Sequence, residues 1–284
     1  MEARVRRARP SDKAPLMSFI KDVWGGHDYI PKVWDAWLED HRGEVFVVEA
    51  DGVPVGMNRV RVLEDGSAWF EGARVHPDFR GRGLGSMLGE NSMEVARKRG
   101  VDVFRLTSGS RNRPAHRQIA RIGFGEVARF SVYEPRRGRK VKPKGDAELV
   151  GAASLAAAMR LLRGTREFEL GKGVFWHDFT AAALTTAVVR NLLKEGAVWR
   201  NGEAIAVTRQ GGEGEGALWE EICFLGGPPV DGMKLVCALL GRNIRARERW
   251  VFVPQGSPLI HSLRNAGFVR NFSMILFERR VANG

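Results

Sequence analysis

The sequence predicts an α+β protein, with a mixed central sheet flanked by helices and a second, degenerate copy of the same plan behind it. Three observations carry this. Short strands and single helices follow one another through the first half without repeated parallel βαβ units. A glycine-rich turn joins a strand to a helix near residues 75–88. Landmarks of the first half then recur, in order, in the second.

Val5 opens a short strand that ends before Pro10, and Ser11 is placed to cap a helix reaching about Trp24. Pro31 fits the first turn of a second helix that runs to Asp40. Val45–Ala50 and Val53–Leu63 read as strands joined by the Asp51-Gly52 turn. After Asp65-Gly66 comes a third strand, Ser67–Val75. Leu84, Met87, Leu88, Asn91 and Val95 keep helical spacing, and Gly100 stops that helix. Val101–Leu106 is a buried strand, Arg113–Arg121 a helix ended by Gly123, and Phe124–Glu134 a strand.

Pro135–Gly145 is basic without one acidic residue and reads as a solvated linker. Beyond it the hairpin around Asn201-Gly202 parallels that around Asp51-Gly52. Trp219 and Glu221 parallel Trp69 and Glu71, and Ser257–Phe268 parallels Arg113–Phe124. The expected division is therefore 1–134, a linker over 135–145, and 146–284.

The hydrophobic share is 44% and the charged share 27%, which excludes a disordered chain. A formal net charge of +12 favours anionic partners without choosing among nucleic acid, an acidic membrane face and a polyphosphate cofactor. The longest uncharged stretches, Leu149–Met159 and Phe179–Val189, are too short for a bilayer span, so no membrane association is expected and a cytoplasmic location is. Cys223 and Cys237 read as buried core thiols. The six histidines are scattered, so no metal site is expected.

The chemistry concentrates in Val75–Leu88. Gly81, Gly83 and Gly85 remove side chains where a strand gives way to a helix, so backbone N–H groups can approach an anion, and the new helix adds its positive dipole end. This is a pyrophosphate cradle. No Gly-Lys-Ser/Thr follows, so it is not a Walker A loop. It is no dinucleotide fingerprint either. In the second copy Leu225–Met233 lacks the cradle, and Pro228 and Pro229 remove two N–H donors.

The Arg80-x-x-Gly83-x-Gly85 pattern after Val75-His76-Pro77 resembles the acetyl-coenzyme A signature of the GNAT acyltransferases. Asn112-x-x-Ala115 and Gly123-Phe124 resemble that family's next motif. The resemblance implies a GNAT fold for residues 1–134 and a degenerate, non-catalytic GNAT-like domain for 146–284. It implies acetyl-CoA as co-substrate, no metal, and coenzyme A held around Val75, Arg80, Gly81, Arg82, Gly83, Leu84, Gly85, Ser86 and Asn112. The pantetheine arm would lie beside the Ser67–Val75 strand, and an amine would attack the thioester directly in a ternary complex.

Glu71, expected to face the same side as Trp69, Ala73 and Val75, is the candidate general base, because attack needs a neutral amine. The competing reading is an ion pair with an arginine. Ile119 stands where the family usually has a tyrosine that protonates the leaving thiolate; His116, Ser110 and Tyr133 are the candidate substitutes. In GNAT folds the Gly25–Trp37 region lines the acceptor pocket. There Asp28 suits an ammonium group, Tyr29 offers a polar contact, and Arg74 could take a carboxylate. Trp34 and Trp37 stand at helical spacing, as core packing or as pocket wall. The Asp28-Tyr29-Ile30-Pro31 run with these tryptophans is similar to the branch that includes histidine N-acetyltransferases.

The leading expectation is an N-acetyltransferase acting on a small amine or free amino acid such as histidine. The alternatives are a protein N-terminal or lysine acetyltransferase, and a non-catalytic acyl-CoA-sensing or nucleic-acid-binding protein. A homodimer contact through the second domain is compatible with this reading.

Overall fold

In the computed structural model, residues 1–281 are described apart from 138–140, 142–144, 178, 212–218 and 243–247. Most of the basic stretch 135–145 therefore lies outside the described residues. The chain divides into two compact units. The first comprises Met1–Thr107, Asn112–Gly125 and Phe277–Gly284, and the second comprises Ser108–Arg111 and Glu126–Leu276.

The first unit contains β1 (Ala3–Arg7), α1 (Lys13–Ile20), α2 (Ile30–Glu39), β2 (Gly43–Ala50), β3 (Val53–Val62), β4 (Ala68–Val75), α3 (Leu84–Lys98), most of β5 (Val103–Gly109) and α4 (Arg113–Arg121). Its strands run in the order β1-β2-β3-β4-β5. The pairs are antiparallel up to β4, and β4–β5 is parallel. Ser11 does not cap α1. A single 3-10 turn, Pro10–Asp12, precedes the helix, and Asp12 is the residue tied down. The Asp12 carboxylate accepts from the Arg9 N–H at 2.7 Å and from both Arg6 η-nitrogens at 2.7 and 2.8 Å.

Helices cover both sheet faces because both faces are apolar. On one, Leu16, Phe19, Ile20, Ile30, Trp34 and Trp37 of α1 and α2 pack with Val45, Val47 and Met57. On the other, α3 meets the sheet through Leu84, Leu88 and Met93. There the buried Asn58 amide donates to Ser92 Oγ at 2.9 Å and to the Leu88 carbonyl at 3.3 Å.

The second unit contains nearly all of β6 (Gly125–Pro135), then β7 (Glu148–Leu149), α5 (Leu155–Gly164), α6 (Arg166–Leu170), β8 (Val174–His177), β9 (Thr180–Ala183), α7 (Thr186–Lys194), β10 (Val198–Asn201), β11 (Ala204–Gly211), β12 (Trp219–Gly226), α8 (Pro229–Arg242), β13 (Glu248–Pro254), α9 (Leu259–Asn265) and the larger part of β14 (Phe268–Arg280). Its sheet includes the order β6-β13-β12-β11-β10-β7, and β8–β9 form a separate hairpin. As between β4 and β5, β12 and β13 are parallel.

The units do not follow the division at residue 134. β6 pairs antiparallel with β13, from Phe130↔Pro254 to Tyr133↔Val251, and so belongs to the second unit. In return the chain's last strand serves the first. The buried Arg105 donates to Asp65 at 2.5 Å and to Glu278 at 2.8 Å. Arg279 donates to the Ile122 carbonyl at 2.6 Å, which closes the end of α4.

Candidate active site

The site of the first unit is organised by β4. Met57 opposes Arg74 and Arg59 opposes Glu71, so Gly72 and Ala73 together stand against Asn58 alone. This is a β-bulge, and Gly72 carries it with φ +67°. A Cβ at Gly72 would lie 2.7 Å from the Trp37 ring, so glycine is required twice over. The bulge breaks the expected alternation. Glu71 and Arg74 share the face of α2, while Val75, opposite Gly56, turns to the other. Pairing of β4 with β5 ends at Phe70↔Leu106, although β4 continues to Val75. Beyond Phe70 no β4–β5 pairing is recorded among the described residues.

Glu71 is 15% exposed in its side chain and sits between two arginines, with Oε1 accepting from Arg59 Nη1 at 2.6 Å and from Arg61 Nε at 3.0 Å. Both bonds fall on one oxygen; among the described residues none is recorded on Oε2. Burial pushes the carboxyl above its ordinary range, and Arg61 and Arg59 pull it back only in part. Arg59 is itself buried. It reaches Asp40 at 2.5 Å and lies 4.9 Å over the Trp37 ring. Glu71 therefore makes the ion pair of the competing reading and still presents one oxygen.

Asp28 and Arg74 are brought together, but against each other. Arg74 Nε donates to Asp28 Oδ2 at 2.7 Å, and Asp28 Oδ1 accepts from the Ile30 N–H at 3.0 Å at the start of α2. The Asp28 side chain is fully buried, so it cannot receive a substrate ammonium as the sequence suggested. Its negative charge is spent holding Arg74. Arg74 also lies 6.0 Å from the exposed Tyr29 ring, which meets Trp37 edge-on at 5.8 Å. Trp34 is core, with no exposure.

Beyond β4, Gly81 and Gly83 have φ +78° and +81°, and a Cβ on either would meet nothing within 4 Å. The space in front of this loop is open. Gly83 precedes the 15-residue α3, and Ser86 and Met87 donate back to its carbonyl. Among the described residues no protein acceptor is recorded for the N–H groups of Gly83, Leu84 and Gly85, as an anion cradle requires. Gly85 has a different reason to be glycine, since a Cβ there would sit 1.9 Å from the Gln118 amide of α4. Arg80 ties the loop to the strand, Nε to the Val75 carbonyl at 3.2 Å. Arg82 lies 5.3 Å over the Phe79 ring, and Ser86 is half-buried in the first turn of α3. Asn112 is the N-cap of α4, its Oδ1 accepting from the Ala115 N–H at 3.4 Å. These residues fit a diphosphate-bearing cofactor: open glycine turns, unpaired amides, a helix N-terminus and exposed cations.

The candidate thiolate acids separate. Tyr133 is 1% exposed in the core of the second unit, which removes it as a proton donor. Ser110 also lies in the second unit, bonded through its N–H to Ser273. His116 remains in the first unit, its ring 5.3 Å from Phe277. The sequence reading missed Arg59, Arg61 and Asp40. The signal available was Arg59 and Arg61 alternating on the strand before Glu71.

In the second unit the counterpart of the cradle is filled. A Cβ at Gly227 would lie 2.6 Å from Ala204. The Gly227 N–H donates to Glu167 Oε2 at 3.1 Å, and Ser257 Oγ donates to Glu167 Oε1 at 2.7 Å. A carboxylate of the chain's own α6 thus takes the amide of this glycine turn.

A bulged β4 parting from β5, followed by an open glycine turn at a helix N-terminus, fits the GNAT fold that the sequence motif implies. The model of the acetyltransferase (GNAT) family matches residues 14–124, and this segment is a GNAT acetyltransferase domain. Among curated proteins the chain is 33% identical over 103 residues to the histidine N-acetyltransferase of Oreochromis niloticus, a match covering 35% of this chain and 31% of that protein. It is 31% identical over 148 residues to the probable N-acetyltransferase 16 of Homo sapiens, covering 51% and 37%. The matched segment thus spans about a third of the length of these relatives. Among solved structures it is similar to a GCN5-related N-acetyltransferase from Sphaerobacter thermophilus (TM-score 0.63, 17% identity, 99% of this chain and 96% of that one). It is also similar to a putative acetyltransferase from Thermoplasma acidophilum (TM-score 0.58, 21% identity, 98% and 100%). At these identities the likeness is one of fold.

Proposed function

We propose that the protein is an acetyl-CoA-dependent N-acetyltransferase whose acceptor is a small amine, in particular a free amino acid such as histidine. The observation that carries this is Glu71, a half-buried carboxylate with one oxygen held by Arg59 and Arg61 and, among the described residues, no bond recorded on the other, beside the Gly72 bulge.

When bound, acetyl-CoA supplies the acetyl thioester. Gly81, Gly83 and the first turn of α3 hold its pyrophosphate, with Arg80 and Arg82 answering the charge. Asn112 caps α4 beside it, and β4 past Phe70 offers main-chain groups to the pantetheine arm. Glu71 Oε2 takes the proton of the acceptor ammonium, directly or through one water, so that the nitrogen becomes nucleophilic. The raised pKa of Glu71 suits this, because a carboxylate in the ordinary range is too weak a base for the task.

Arg74 is the residue for an acceptor carboxylate: Asp28 fixes its Nε and the Ala73 carbonyl accepts from its Nη1, which leaves Nη2 to bind. Asp28 is then a positioning residue. Tyr29 and Trp37 wall the same side. The curated histidine N-acetyltransferases that resemble residues of this chain favour the same substrate class.

Release of coenzyme A, measured against free amino acids, their methyl esters and peptides, tests the reading. Free amino acids should be the best acceptors, and methyl esters should show a raised KM through the lost Arg74 contact. Faster turnover of peptides than of any free amino acid would overturn it in favour of a protein acetyltransferase. No coenzyme A release with any acceptor would leave a binding protein.

A further inference from the structure

The second unit repeats the strand that carries Glu71, but surrounds its glutamate differently. Glu221 on β12 opposes Arg209 on β11, as Glu71 opposes Arg59. The register slips beside it, with Thr208 opposite Ile222 and Val207 opposite Phe224, so Cys223 is the extra residue. Cys223 Sγ and Glu221 Oε2 meet on one side of the bulged strand. His177, the last residue of β8, comes against them. Its backbone is fixed by Thr180, whose Oγ1 donates to the His177 carbonyl at 2.6 Å.

His177 Nδ1 is 3.3 Å from Glu221 Oε2, and Cys223 Sγ is 3.8 Å from the same oxygen. The three donor atoms all lie within 4.8 Å of one another. Zinc bonds of about 2.0–2.3 Å at tetrahedral angles separate donors by roughly 3.3–3.8 Å. Two of the separations match, and the third is within 4.8 Å. Glu221 and Cys223 are 2% and 1% exposed, whereas the His177 side chain is 38% exposed. The cluster is therefore fixed at its base and open at one corner.

We propose that His177, Glu221 and Cys223 form a binding site for a borderline-soft divalent cation of the zinc class, with a fourth position open to water or a small donor ligand. The nitrogen, oxygen and sulfur donors select against magnesium and calcium, which take oxygen ligands. Binding breaks the S–H bond as the sulfur–metal bond forms, and the proton leaves to solvent. Arg209, opposite Glu221 across the β11–β12 ladder, pairs with Glu195. Where the first unit uses its β4 glutamate beside an amine pocket, the second holds the matching glutamate among metal donors.

The test is titration of the full chain with Co²⁺, followed by Zn²⁺, at neutral pH in a non-chelating buffer with the thiols reduced. One equivalent of Co²⁺ should produce a thiolate-to-cobalt charge-transfer band that Zn²⁺ then abolishes. Cys223→Ser should lose the band while Cys237→Ser keeps it. His177→Ala, at the half-exposed corner, should weaken Co²⁺ binding by at least roughly tenfold with an unchanged far-ultraviolet circular dichroism spectrum. Absence of the band in the wild-type chain overturns the proposal. So does a band that survives in a folded Cys223→Ser protein. Should Cys223→Ser fail to fold, unaltered Co²⁺ affinity in His177→Ala is equally decisive. None of these readouts depends on acetyl transfer.

Discussion

The loops after β4 and β12 each follow a bulged strand that pairs parallel with the next, and they have opposite character. After β4, a Cβ on Gly81 or Gly83 would meet nothing within 4 Å, and among the described residues no protein acceptor is recorded for the amides at the start of α3. After β12, Gly227 is pressed against Ala204, two prolines remove donors, and the Glu167 carboxylate takes the Gly227 N–H together with Ser257 Oγ. A backbone N–H without a partner persists where water or a ligand can satisfy it, whereas a buried one must be paired within the protein. On the function proposed above, the first loop receives the anion of a cofactor, whereas the amide of the second is taken by a carboxylate of the chain.

The largest effect expected from this contrast is on cofactor binding. Gly83→Val places a β-branched residue at φ +81° and a side chain in the open space before α3. Calorimetry should show one coenzyme A per wild-type chain and none for the variant. Two sites per chain would erase the distinction between the loops.

Next in size is Glu71→Gln, which should lower turnover by roughly 10²–10⁴-fold while leaving coenzyme A affinity nearly unchanged. The pH profile supplies the sign. With the folded pKa raised, the base form appears only above the ordinary carboxylate range, so the acid limb of kcat/KM should lie there. Stability follows the same linkage. The Glu71 contribution is fully present below the unfolded pKa and is lost as pH rises through the raised folded value. The melting temperature of wild type should therefore fall over that interval relative to Glu71→Gln. Near-wild-type turnover in the variant at every pH would reduce Glu71 to an arginine anchor.

The exchange of strands gives a smaller effect. Glu278→Ala leaves Arg105 buried with Asp65 as its remaining carboxylate partner, and should cost about 1–3 kcal/mol in denaturant unfolding. Removing residues 277–284 should cost more, since Arg279 and its bond to Ile122 go too. A truncated 1–134 chain that folds stably would refute the interdependence of the chain ends.

Smallest should be the effect of Glu167→Ala on binding. It frees the Gly227 amide, yet Pro228 and Pro229 still withhold donors, so coenzyme A stoichiometry should stay at one while stability drops by about 1–3 kcal/mol. A second coenzyme A on this variant would make Glu167 the sole plug.

The sequence alone determined what depends on neighbours along the chain. The strand, glycine turn and helix over residues 68–98 and the hairpin at Asp51-Gly52 are local, because turn geometry is set within a few residues. The missing cradle of the second copy was legible for the same reason, in Pro228 and Pro229. The pairings of charged groups were not legible. Asp28 and Arg74 are far apart in sequence, and only the bulge at Gly72 turns Arg74 toward Asp28 and spends both charges on each other. The role of β6 and of the last strand was hidden because two related copies present compatible edges, and the choice between them lies in the summed pairing and packing of whole strands. Cys223 read as a core thiol, and it does lie in the core. His177, brought to it by the β8–β9 hairpin, gives that thiol a second reading through a contact that no spacing along the chain encodes.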